Sequence, residues 1–300
     1  MAATKVGVYV DGANVAMNGG WGMRFDVLRA FAARDGAEVL RLNAYLSFDE
    51  ERARTDDAYR RGQESFHSSL RDMGFKVIRK LLRWYQDESG KRYGKANVDL
   101  DMAVEALLQS EHLDRVVLAT GDGDFVRVVR ALQNKGCRVE IVAFDNVSRD
   151  LRREADMFLS GYLIPNLQPI PSGRGEPAWG ELGSRVRGVC YNHSGKGYGF
   201  LRFIRRLSDD LWITDSRHPD SPYGSVFFHD SALPEGVSYV QLPSRDLIFE
   251  FELKESTAPG KSGLQAGELT LANRARGPAE SPRPPAPSAA PTVAAEPERV

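Results

Sequence analysis

Three apolar runs in the first half of the chain each end on an acid, and this limits the possible folds more than any other feature. Residues 6–10 run into Asp11, residues 116–120 into Gly121-Asp122, and residues 140–144 into Asp145. Short, nearly continuous apolar runs are what strands buried on both faces of a parallel sheet require. Segments with helical spacing lie around them, at 25–34, 57–73, 98–108, 124–135 and 148–159. With further strands at 39–46 and 75–78, the pattern predicts a three-layer α/β domain with about five parallel strands. A charged and aromatic stretch at 80–95 reads as a hairpin turning at Ser89-Gly90.

In an open sheet of this kind, ligands bind beyond the carboxyl ends of the strands, near the point where strand order reverses. Asp11, Asp122 and Asp145 are therefore predicted at one rim. Asp124 follows closely, and Gly121 and Gly123 allow a tight turn beside the carboxylates. Asp99 and Asp101 open the helix at 98–108. Two residues apart they diverge around the helix, so Asp99 is favoured for the rim and Asp101 as a cap or support. A single Asp at a strand end often only caps a helix or makes a turn, so the grouping carries the signal. Clustered carboxylates repel one another, whereas hard divalent ions such as Mg²⁺ or Mn²⁺ take oxygen ligands. Such ions polarise phosphoryl oxygens and activate water. No His adjoins these motifs, which argues against zinc.

The segments Val8-Tyr9-Val10-Asp11-Gly12-Ala13-Asn14, Lys95-Ala96-Asn97-Val98-Asp99 and Ala119-Thr120-Gly121-Asp122-Gly123-Asp124-Phe125 occur in this order. Together with the strand at 139–144, they resemble the NYN domains of the PIN-like nuclease superfamily, in its LabA-like branch. The resemblance spans residues 4–165 and implies a Rossmann-like parallel sheet. It further implies an endonuclease acting on single-stranded RNA, with Mg²⁺ or Mn²⁺ and in-line attack by an activated water. Asp11, Asp99, Asp122 and Asp124 carry over as metal-site acids, Asn14 as a side chain orienting an acid or phosphate, and Lys95 as a phosphate contact. Gly123 stands where relatives often have Ser. Some relatives bind RNA without demonstrated cleavage, so a non-catalytic RNA-binding regulator is the alternative. A phosphatase with a nucleophilic Asp would want an acid two residues after it, and here that position is Ala13.

From 166 to 183 the composition shifts to Pro, Gly and Ser, which predicts a linker. Strand-like runs follow at 187–191, 198–203, 225–229, 246–254 and 268–272, so residues 184–273 read as a small all-β barrel. Residues 274–300 are dominated by Pro, Ala and Glu and are expected to be disordered. In Lys196-Gly197-Tyr198-Gly199-Phe200 two aromatics lie two apart, hence on one strand face, and Phe227 with His229 repeats the spacing. Outward-facing, these rings would stack unpaired bases, and inward they would be core. The two segments resemble the ribonucleoprotein motifs of cold-shock domains, whose barrel is of the OB type. That resemblance implies RNA contacts from Tyr191, Lys196, Tyr198, Phe200, Phe227 and His229. Cold-shock domains usually carry Trp-Phe where this chain has Tyr191-Asn192, which implies one weaker and one lost stacking position. An insertion at 207–224 is a second departure.

The formal net charge of −1 excludes a wholly basic nucleic-acid coat but leaves local basic surfaces open. Cys137 and Cys190 form neither a disulfide framework nor a zinc site and fit a reducing compartment. No run approaches the roughly 18 apolar residues of a membrane helix. The expectation is a soluble cytoplasmic protein with RNA as partner and no membrane partner. A homodimer is left open.

Overall fold

The computed structural model describes residues 2–86, 90, 92–95, 98–170, 175, 177–256 and 263–272. Its first half opens with β1 (Lys5–Asp11), α1 (Gly12–Val15), α2 (Phe25–Ala32), β2 (Glu38–Phe48), α3 (Glu50–Thr55), α4 (Asp57–Asp72) and β3 (Lys76–Leu81). A two-stranded hairpin of β4 (Arg83–Gln86) and β5 (Arg92–Lys95) follows, then α5 (Asp99–Gln109), β6 (Arg115–Ala119), α6 (Val126–Asn134), β7 (Arg138–Ala143), α7 (Arg149–Glu154) and β8 (Met157–Ser160).

The six long-range strands form one parallel sheet in the order β3-β2-β1-β6-β7-β8. The chain builds outward from β1 in one direction, returns, and builds outward in the other. Right-handed crossovers then place α2 and α4 on one face and α5, α6 and α7 on the other. The cores agree. Phe25, Leu28, Phe31 and Leu70 join Val6, Val8 and Val10, whereas Met102, Ala106, Val129, Leu132 and Leu151 join Tyr9, Leu118 and Ile141.

The sixth strand corrects the expected helix at 148–159. The helix ends at Glu154, because Asp156 is drawn into the sheet edge: its Oδ2 accepts the Val139 N–H at 2.7 Å. The apolar Met157–Ser160 segment then pairs in parallel with β7. Helical spacing and a short apolar run are easily confused at this length.

The second half forms a closed barrel. Its strands are β9 (Arg185–His193), β10 (Tyr198–Ile204), β11 (Tyr223–His229), β12 (Ser244–Glu255) and β13 (Leu264–Ala266), with a short β14 (Thr270–Leu271) beside β12. Closure comes from β13, which pairs parallel with β11 and antiparallel with β12, giving the circuit 9-10-11-13-12-9 of an OB-type barrel. The sequence placed the last strand at 268–272. The closing strand lies earlier, between the runs expected at 246–254 and 268–272; residues 257–262 lie outside the described residues.

The barrel is docked on the sheet. Val189, Ile204, Leu211 and Ile248 belong to the same apolar cluster as Val142, Phe144, Leu159 and Tyr162. On this face α2 and α4 serve the β1-β2-β3 half, and the barrel supplies apolar side chains toward the β7-β8 half. The insertion between β10 and β11 carries an ionic latch. Asp209 pairs with Arg115, and its Oδ1 lies 2.8 Å from Arg34 Nε, an ionic contact off the line of a hydrogen bond. Arg34 also binds Glu140 through Nη2 at 2.6 Å, and the Arg34, Arg115 and Glu140 side chains are all buried. Leu167 is buried, and Trp179 Nε1 donates to the Ile204 carbonyl at 2.7 Å, so both ends of the 166–183 stretch pack down. Residues 171–174 and 176 of that stretch lie outside the described residues. Among the described residues no helix is long and apolar enough to cross a membrane.

Candidate active site

The strand order reverses between β1 and β6, and Asp11 and Asp122 stand at the carboxyl ends of these two neighbours. Asp11 is 3% exposed. Its Oδ1 accepts the Asn14 N–H at 3.0 Å, and its Oδ2 accepts the Thr120 hydroxyl at 3.4 Å. Burial foremost, and then the negative charges of Asp99 and Asp122, push the Asp11 carboxyl up to about 6, against the lowering effect of the Asn14 and Thr120 bonds. Asp99, at the first turn of α5, and Asp122 are thus close enough to Asp11 to act on its charge.

Thr120 was not singled out in the sequence, yet it is fully buried and joins the two strand-end acids. Its Oγ accepts the Asp122 N–H at 3.2 Å while its hydroxyl faces Asp11. A hydroxyl residue closing the apolar run at 116–119 is the signal that could have found it. Asn14 Oδ1 accepts the Gly121 N–H at 2.8 Å, so it ties the β1 loop to the β6 loop. Asp122 also caps the turn that follows, its Oδ1 accepting the Asp124 N–H at 2.9 Å. Capping and clustering therefore coexist in the same side chains. A side chain at Gly123 would press on the Ser148 hydroxyl, 2.9 Å from a built Cβ, where Ser148 caps α7.

The other acids are placed differently. Asp124 is exposed and lines an open groove with Arg127, Arg130, Ser148 and Arg153. Asp101 pairs with Lys80, whereas the charge of Asp99 acts on Asp11. Asp145 Oδ2 accepts the Tyr162 hydroxyl at 3.0 Å and braces the neighbouring loop. Lys95 ends β5 in register with Arg83, and Ala96 and Asn97 of its motif lie outside the described residues.

The donor set suits a hard divalent cation in kind: every donor is a carboxylate oxygen, and the buried Asp11 is raised by burial and by the neighbouring carboxylates. Among the described residues no three His, Cys, Asp or Glu side chains are closed around a single point that could hold a metal ion.

The sequence matches the family profile described as NYN domain over residues 5–165. The chain belongs to the NYN domain family. A curated relative, low amplitude and bright protein LabA of Synechococcus elongatus, is 29% identical over 165 residues, covering 52% of this chain and 83% of LabA. A solved structure of a Vibrio parahaemolyticus protein of unknown function is 27% identical, covers 53% of this chain and 93% of that one, and superposes with a TM-score of 0.41. The matched span ends at residue 165, so the NYN domain comprises the whole parallel sheet.

On the barrel, Tyr198, Phe200 and Phe227 share the outer face, while Gly199, Leu201, Val226 and Phe228 between them are buried. Neither Tyr198 nor Phe227 belongs to the buried cluster that fills the barrel. The three rings touch, with centroids 5.8 Å apart for Tyr198–Phe227 and 5.9 Å for Phe200–Phe227. His229 lies opposite Tyr198 in the register and Lys196 is exposed beside them. Tyr191 sits in the β9 bulge, exposed, with its hydroxyl bonded to Ser225 at 2.8 Å. Arg202 was missed in the sequence. It follows Phe200 by two and lies over the rings of Tyr191 and Tyr223, at 5.5 and 5.0 Å, adding a cation to this face.

Proposed function

We propose that this protein is a metal-dependent endoribonuclease that cuts single-stranded RNA at the NYN rim while the barrel holds the strand. The observation that carries the reading is that the buried Asp11 lies at the strand-order reversal within reach of the charges of Asp99 and Asp122, which together with burial raise its carboxyl. Asp11, Asp99 and Asp122 would hold a Mg²⁺ or Mn²⁺ ion, with Asp124 near the same turn. Bound there, a divalent ion supplies Lewis acidity toward a phosphoryl oxygen and an activated water. The chain's own part is positioning. Thr120 and Asn14 fix the two loops that carry the acids, and Gly121 and Gly123 let that turn pack closely against Val147 and Ser148.

The rings of Tyr191, Tyr198, Phe200 and Phe227, with His229, Lys196 and Arg202, suit stacking of unpaired bases beside cations. Replacing Tyr198 and Phe227 by Ala should weaken single-stranded RNA binding by about 1–3 kcal/mol per stacked base without lowering the unfolding temperature. Unchanged affinity in a titration would remove the barrel face from the RNA path. For the reaction itself, labelled single-stranded RNA should be cut with Mn²⁺ or Mg²⁺ and left intact with EDTA. Binding without metal-dependent cutting would make the protein an RNA-binding regulator.

A further inference from the structure

The loop leaving α1 places two large apolar side chains in solvent beside the rim: Trp21 is 81% exposed and Met17 70%. The glycines around them suggest a slack loop, but the backbone is held at nearly every residue. Asn18 donates through Nδ2 to the Asn14 carbonyl at 2.8 Å and accepts from Asn146 Nδ2 at 3.0 Å, and its own carbonyl accepts the Asp145 N–H at 2.8 Å. Gln168 Nε2 donates to the Gly19 carbonyl at 2.7 Å and to the Trp21 carbonyl at 3.3 Å. Arg187 of the barrel grips the Gln168 carbonyl at 2.9 Å. Gly19 has φ +94°, and a Cβ there would lie 2.5 Å from Asp145 Oδ2; one at Gly20 would lie 2.6 Å from the Phe144 ring. The loop is thus a fixed platform. Its first anchor, Asn14, is also the residue that ties the Asp11 and Gly121 loops together.

A tryptophan held in water on rigid backbone gives up the gain of burial, and an aromatic face beside a phosphodiester site matches the flat face of an unpaired base. We infer that Trp21 is a substrate-binding residue that stacks an unpaired nucleobase of the RNA strand at the NYN rim, with Met17 flanking it. This rests on the nuclease reading for the identity of the strand, but it is tested by binding alone. The full chain is titrated in EDTA with a fluorescent 12-nucleotide oligo(A) RNA and, separately, with an abasic ribose-phosphate 12-mer. Trp21→Ala should weaken oligo(A) binding about 5- to 20-fold, Trp21→Phe should restore most of it, and the abasic strand should bind both variants and wild type alike. Equal oligo(A) affinity of Trp21→Ala and wild type would overturn the inference. So would loss of a dimer in light scattering on Trp21→Ala, which would make the platform a self-association surface. Absence of metal-dependent cleavage by wild type would instead sink the nuclease reading and leave this result standing.

Discussion

Replacing Asp11 by Asn is expected to raise the unfolding temperature of the metal-free protein and, in the same molecule, to suppress RNA cleavage by about two orders of magnitude or more. The stabilisation follows from the environment of Asp11. Its carboxyl is pushed from 3.8 up to about 6 in the folded chain. A raised carboxyl binds its proton more tightly when folded, so its contribution to stability is present below about pH 3.8 and is lost as the pH rises through about 6. At neutral pH the ionised, buried group costs the metal-free fold up to about 3 kcal/mol, and a neutral Asn avoids that cost. The amide oxygen can still accept one of the two bonds that Asp11 now accepts. In thermal scans with EDTA, the gap between variant and wild type should open between about pH 4 and pH 7. A gap that stays constant across this range would mean that Asp11 is not strained as an anion. Adding Mn²⁺ should stabilise the wild type and leave Asp11→Asn nearly unchanged.

Asp209→Ala should destabilise the whole chain by about 2–4 kcal/mol, although Asp209 itself is partly exposed. The effect comes from its partners. Arg34 and Arg115 are buried, and Asp209 is the carboxylate that meets both. Without it, among the described residues, Arg115 keeps the Ala32 carbonyl, and Arg34 keeps the Phe31 carbonyl and a share of Glu140 with Arg138. Buried guanidinium charge left short of a partner is costly. The apolar seam of Val189, Ile204, Leu211 and Ile248 should loosen with it. Denaturant unfolding with a single transition in wild type, splitting or shifting to lower denaturant in the variant, is the expected result. An unshifted midpoint would show that the barrel and the sheet do not support each other.

This docking was not legible in the sequence. A Pro- and Gly-rich stretch reads as a spacer, and Asp209 reads as one more acid in an insertion; neither carries a local mark of its partner more than 90 residues away. What was legible had a local cause. The strand-end position of Asp11 and Asp122 follows from apolar runs that must be buried on both faces, and the divergence of Asp99 from Asp101 follows from helix geometry. The outward placement of Tyr198 and Phe227 follows from the two-residue period of a strand, once the buried glycine and Phe228 fix which face is inside. The strand at Met157–Ser160 and the closing strand at Leu264–Ala266 were missed because each is a few residues long and is made a strand by its neighbours. Thr120 was missed because its role depends on two bonds to groups brought near it by β1 and by its own turn.

The proposed role of the strand-end carboxylates, to hold the divalent ion that promotes RNA cleavage, is read out by single-turnover cleavage of a labelled single-stranded RNA, with Mn²⁺, by wild type and Asp122→Asn at equal concentration. Asp122→Asn keeps a side-chain oxygen able to cap the Asp124 N–H, so the turn should survive. The variant should bind RNA within about threefold of wild type and cut it about 100-fold or more slowly. Equal product from both proteins would show that Asp122 takes no part in cleavage.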